Sequence, residues 1–76
     1  MVVGYGEFTG HAAITQRIKN AMYYGQESNE KLTDVHREAL DMIAHKIGRI
    51  LNGDPNYADS WHDIGGYAKL AEKECD

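Results

Sequence analysis

Lys46 and Arg49 stand three residues apart on one side of a turn, and Asp59 and Asp63 stand four apart on the other, with Asn52-Gly53-Asp54-Pro55 between them. Spacings of three and four put each pair on one side of a helix. A short connection makes consecutive helices antiparallel neighbours, so the cations and the carboxylates meet across the hairpin. Three chemistries fit that meeting. Two cations can hold a phosphate or another anion. Two carboxylates one turn apart can share a magnesium ion that also takes substrate phosphates. All four together can form an ion-pair network that fixes the register of the hairpin. Under the first reading Tyr5 and Tyr67 stack on a base, while Asp59 and Asp63 orient the cations or read polar edges.

Glu38 and Asp41 form a second acidic pair, Glu-x-x-Asp. That spacing resembles the all-helical nucleoside triphosphate pyrophosphohydrolases, the MazG-like enzymes, whose helical carboxylates bind magnesium. The Glu-Glu-x-x-Glu element those enzymes carry on a preceding helix is missing, and both residues point away from the apolar side of their helix. A solvated face is the expected role. Among the histidines, His11, His36, His45 and His62, no His-x-x-x-His pair occurs, and the single cysteine, Cys75, is nearly terminal. No dedicated metal site is expected from such a set. His45, one turn after Asp41, reads as its surface partner. With no nucleophile elbow, phosphate-binding loop or dinucleotide fingerprint, covalent catalysis has no support and no cofactor is expected. Magnesium enters only with the enzyme alternative, which would use Asp59, Asp63, Glu38 and Asp41.

Hydrophobic periodicity predicts the elements that position these residues. The first helix starts near Thr9, a capping residue, and runs to about Tyr24 before Gly25 stops it. Ile14, Ile18, Ala21 and Met22 form its apolar stripe, with His11 and Thr15 at the edge. The polar stretch Gly25 to Lys31 reads as an exposed loop. In the second helix Leu32 staples the start, Thr33 caps it, and Asp34 puts a negative charge in the first turn. It runs to Leu51, and Asn52-Gly53 ends it. Val35, Ala39, Met42, Ile43 and Ile50 share an arc with Lys46 near its middle. A lysine sits there only if its ammonium escapes to water or finds a partner, so something anionic faces it and Arg49.

For the third helix, Asp54 is the expected cap and Pro55 the first helical residue. Tyr57, Trp61, Ile64, Ala68, Ala71 and Cys75 recur at helical spacing, and the expected role of that stripe is core. Gly65-Gly66 in mid-helix costs about 1 kcal/mol per glycine relative to alanine, which implies close approach by another backbone, a second subunit or a ligand. Ahead of the helices, Gly4 and Gly6 argue against helix and Tyr5 and Phe8 against a free tail. The expected fold is all-α: an extended N-terminal arm over residues 1–8 and one three-helix bundle over residues 9–76.

With 76 residues and a lone cysteine, the chain can build only a small core and no internal disulfide, so self-association into a homo-oligomer is the expected source of extra stability. The lone thiol and the lack of a signal-peptide pattern or long apolar run predict a cytoplasmic protein with no membrane partner. A formal charge of −4 with scattered lysines and arginines argues against nucleic-acid binding.

Lys46-Ile47-Gly48-Arg49, the Asn52-Gly53-Asp54-Pro55 turn and Asp59-Ser60-Trp61-His62-Asp63-Ile64-Gly65-Gly66-Tyr67, with Tyr5-Gly6 near the start, resemble a family of small phage and prophage proteins of unassigned function. The matching positions are Lys46, Arg49, Asp59, Trp61, Asp63, Gly66 and Tyr67; Glu38 and Asp41 fall outside them. The resemblance implies a phage setting, hence the cytoplasm of an infected host cell. Small phage proteins of this size often act by binding, either blocking a host defence protein or sequestering a nucleotide signal. The resulting expectation is a counter-defence protein that holds a small anionic, nucleotide-type ligand through Lys46, Arg49, Asp59, Asp63, Tyr5 and Tyr67. A protein-binding inhibitor of a host defence factor is the other non-enzymatic reading.

Overall fold

The computed structural model describes residues 7–25 and 27–75. Among them are three α-helices, α1 (Phe8–Tyr23), α2 (Asp34–Asn52) and α3 (Ala58–Glu72), a short 3-10 helix at Glu27–Lys31, and no strand. The chain is therefore the all-α, three-helix unit expected. Of the N-terminal arm, residues 1–6, and Tyr5 with them, lie outside the described residues, while Phe8 already opens α1.

Local chemistry sets the helix ends, in places differently from the simplest reading. Thr9 is inside α1, because the His11 amide donates to the Glu7 carbonyl at 3.1 Å and makes Glu7 the cap. Gly25 follows with φ of 76°, a left-handed conformation that glycine adopts without penalty and that turns the chain out of the helix. Thr33 caps α2 as expected, and reciprocally: its hydroxyl accepts from the His36 amide at 3.2 Å while His36 Nδ1 accepts from the Thr33 amide at 3.1 Å. Asp54 and Pro55 do not begin α3. The Asp54 side chain accepts from the Asn56 amide and its carbonyl from the Tyr57 amide, at 2.9 and 3.0 Å, so these residues form a turn and the helix waits until Ala58. Trp61 Nε1 donates to the Pro55 carbonyl at 2.7 Å and ties this turn to the first turn of α3.

Helix α2 is the middle element, and α1 and α3 both pack on it. Gly48 meets α1 and Lys46 meets α3; two positions apart, they lie about 200° apart around the helix. The neighbours thus flank α2 on opposite sides, and the molecule is thin, 41 × 27 × 14 Å. Such a layer has little interior. Its buried apolar residues are Ala39, Ala44 and Ile50, and the buried polar ones are His11, Thr15, Lys46 and Ser60.

Helix α3 departs from its expected orientation. Ser60 is 1% exposed, whereas Trp61 is 56% exposed and Ala68 and Cys75 are also exposed. Bringing Asp63 to Lys46 rotates the helix so that the Ser60, Ile64, Tyr67 and Ala71 row faces α2, and half of the apolar stripe turns outward. In α1, likewise, His11 and Thr15 are buried, while Ile14 and Ile18 are only half-buried and Ala21 is exposed.

The two open faces of the layer differ in chemistry. Helical spacing and the contacts place Lys19, His45, Arg49 and Asp63 on one of them; the charges of Lys19 and Arg49 both act on His45, and that of Arg49 on Asp63. The other face carries Ile14 and Ile18 from the α1 stripe, Leu40, Ile47 and Leu51 from α2, which lie outside its expected arc, and Trp61 and Ala68 from the α3 stripe.

Candidate functional site

Lys46 lies in the last two turns of α2 and is 8% exposed. Its Nζ donates to Asp63 Oδ2 at 2.8 Å, so the buried ammonium has the anionic partner that its place in an apolar arc requires. Asp63 sits in the second turn of α3 with its side chain 39% exposed. The hydrogen bond from Lys46 holds the Asp63 carboxyl below the usual carboxylate range, and the charges of Lys46, His62 and Arg49 add to the effect. A ligand approaching this point meets the carboxylate first and the ammonium behind it.

Arg49, three residues beyond Lys46, is half-buried on the same side of the layer. Asp59 is exposed in the first turn of α3, where the helix dipole favours an acid, and takes no part in the Lys46–Asp63 pair. Tyr67, half-buried one turn after Asp63, lines an open depression of about 450 Å³ together with His62, Asp63, Gly66 and Leu70. A second depression of about 320 Å³ shares Tyr67 and Leu70 and continues over Asp34, Val35, Glu38, Ala39 and Ala71. The strip is within the size of small-ligand sites. The structure thus brings Asp63 and Tyr67 together in one depression, sets Lys46 behind Asp63 with Arg49 three residues further along α2, and leaves Asp59 out of the ion pair; Tyr5 lies outside the described residues.

His62 and Leu70 also line the depression; sequence pattern sets Leu70 with Tyr67 on the flank that Asp59 and Asp63 begin, and weighs His62 only as a metal ligand. Gly66 is singled out by its cost in a helix, and it borders the depression with nothing within 4 Å of where a Cβ would stand. The close approach expected at Gly65-Gly66 is therefore not made by the chain's own described residues.

The second acidic pair divides. Glu38 is exposed and borders the second depression. Asp41 faces α1, where its carboxylate accepts from the Tyr23 hydroxyl at 2.7 Å. Burial, then the bond to Asp41, push the Tyr23 hydroxyl up to about 12, so it remains a donor at any ordinary pH. The Arg37 guanidinium lies 4.8 Å from the centre of the Tyr23 ring and completes the contact.

His45 is consequently not the partner of Asp41. Its ring meets the edge of His11 with centroids 4.4 Å apart and planes at 89°, and its carbonyl accepts from His11 Nε2 at 2.9 Å. A carbonyl cannot donate, so Nε2 of His11 carries the proton. Burial, followed by the charges of His11, Arg49, Lys46 and Lys19, lowers His45 to about 4, leaving it neutral in the folded chain at neutral pH.

Among the described residues no group of three His, Cys, Asp or Glu side chains is placed to hold a metal ion. No helix among them is long and apolar enough to cross a membrane. Comparison with protein-family models, curated proteins and solved structures finds no match to this chain.

Proposed function

We propose that this chain is a small, self-associating helical binding protein that holds an anionic, nucleotide-type ligand without transforming it. The observation that carries this reading is that Asp63 and Tyr67 line one open depression, with the Lys46 ammonium bound directly behind Asp63 and Arg49 three residues from Lys46. An ammonium has three donors, and Asp63 occupies one of them. Lys46 and Arg49 engage phosphate oxygens, Asp63 accepts from a sugar hydroxyl or a base edge, and Tyr67 stacks on the base. Gly66 leaves room for close approach. Taken with the resemblance to small phage proteins, the reading becomes counter-defence by sequestration in an infected cell.

The test is native mass spectrometry of the purified protein with linear and cyclic nucleotides, with and without magnesium. Intact nucleotide retained by the wild type and lost in Arg49→Gln and Tyr67→Ala is the expected result. Magnesium-dependent loss of pyrophosphate would instead revive the hydrolase alternative, which has Asp41 engaged by Tyr23 rather than open to a metal. If no nucleotide is retained, the reading fails. A protein-binding inhibitor of a host defence factor then becomes the better account, favoured by exposed acids such as Asp34, Glu38 and Asp59 on a chain of charge −4. Salt-sensitive capture of a basic host protein is its signature.

A further inference from the structure

The apolar face of the layer has no counterpart in the chain's own described core. Stable domains pack at least two layers of secondary structure around a core, and here three helices make one layer 14 Å thick. Among the described residues the largest fully buried side chain is that of a serine, Ser60, while Leu40, Leu51 and Trp61 are 38%, 66% and 56% exposed. A groove of about 340 Å³ opens on this face between α2 and α3, floored by Ala39 and Ala71 and walled by Leu40 and Ile43. Its ionisable neighbours, Lys31 and His36, belong to the end where α2 begins.

We propose that this face is the contact surface for a second copy of the chain, giving a two-layer, six-helix dimer with the Lys46–Asp63–Tyr67 strips on its two outer sides. Three observations favour a second copy over another protein. The 41 × 27 Å outline of the layer encloses more than the about 800 Å² per partner that a stable interface uses. The residues named on this face are uncharged, and the charged side chains that helical spacing sets beside them, Arg17 next to Ile14 and Ala21 and Glu72 next to Ala68, are of opposite sign, so two copies related by a two-fold axis can meet without opposing like charges. A chain with so little core needs its partner whenever it is folded, and its own copy is the partner always made in equal amount. The proposal deepens the self-association in the function proposed above and stands independently of the ligand.

Trp61 is the only tryptophan, so it reports on this face without mutation. Sedimentation equilibrium on the wild type is expected to give twice the 8.5 kDa chain mass. In the same sample Trp61 emission should be blue-shifted and shielded from iodide, and dilution should reverse the mass and the emission together. Leu40→Glu is expected to halve the mass, whereas Val35→Glu, on the opposite face, is expected to leave it doubled. A dimer whose Trp61 is quenched like free tryptophan would show association through another surface and overturn the proposal. A monomeric wild type overturns it as well; if Trp61 is shielded in that monomer, another part of the same chain covers the face. Nucleotide retention is read separately, so its loss in a protein that still dimerises would sink only the ligand assignment.

Discussion

Where α1 meets α2, the contact is made of polar groups with fixed directions: His11 to the His45 carbonyl, Tyr23 to Asp41, and Asn52 Nδ2 to the Glu7 carbonyl at 2.7 Å. Gly48 lies at the crossing, and a Cβ there would press on Thr15 and the His11 ring. Where α3 meets α2, small side chains such as Ala39, Ser60 and Ala71 lie around one charged contact, Lys46 to Asp63. The first seam is specified by hydrogen-bond direction and a close backbone approach, so it tolerates little displacement. The second is held by an ion pair whose carboxylate is 39% exposed, so it carries fewer directional constraints.

The comparison can be broken most directly by His11→Ala, which removes both a packed ring and the donor to His45; a loss of about 3 kcal/mol is expected in urea unfolding. Lys46→Met at the other seam replaces a buried ammonium with an apolar chain of similar volume and leaves the Asp63 carboxylate, 39% exposed, to water, so the urea midpoint should be unchanged or raised. Equal losses in the two variants would erase the distinction between the seams.

Acid should separate them next. The unfolded chain protonates His45 near 6.5, whereas the folded chain resists until about 4, so stability falls as pH drops through that window and levels off below it. Asp63 has the opposite charge type and a lowered folded value, so its contribution is full above the ordinary carboxylate range and is lost only as pH falls below it. The α1–α2 seam therefore loosens at milder acidity. Urea midpoints recorded against pH should show the earlier slope in the wild type and lose it in His45→Asn.

Smaller effects compare glycines. Gly48→Ala should cost about 1–2 kcal/mol, overpacking against Thr15 and His11 outweighing the gain in helix propensity. Gly65→Ala meets nothing within 4 Å and should gain somewhat under 1 kcal/mol. Thermal melts of the two variants moving in the same direction would contradict the close crossing. A gain of comparable size is expected at Ser60, whose buried hydroxyl has no hydrogen-bond partner among the described residues. Ser60→Ala should raise stability by about 1 kcal/mol in the same assay, since it removes an unsatisfied group at constant shape.

The three helices were legible because their ends and periodicity are written locally: Thr33 at a start, Gly25 and Gly53 after two stops, and stripes at i, i+3, i+4 and i+7. The need of Lys46 for an anion was legible too, because a cation inside an apolar arc is a local contradiction that only a partner resolves. Which of two acids would supply it was not, since Asp59 and Asp63 are equivalent in spacing and only the turn through Asp54–Asn56 decides how far along α3 the meeting point falls. The polar α1–α2 seam was hidden as well. His11 and Thr15 lay at the edge of a more apolar stripe, and nothing local says that Gly48 would draw them inward. The outward half of the α3 stripe misled the expectation of a core because periodicity shows which side of a helix is apolar, not which side its neighbour meets.

The central place of α2 also governs how the chain reaches this structure. Each outer helix docks mainly on the element next to it in sequence, so most native contacts close short loops, a topology associated with microsecond-to-millisecond folding. Both hairpins run through α2, so neither outer helix can dock before α2 has formed. Synthesis from the N-terminus completes the α1–α2 hairpin first. The segment bearing Asp63 and Tyr67 thus arrives last, onto a surface that is already in place.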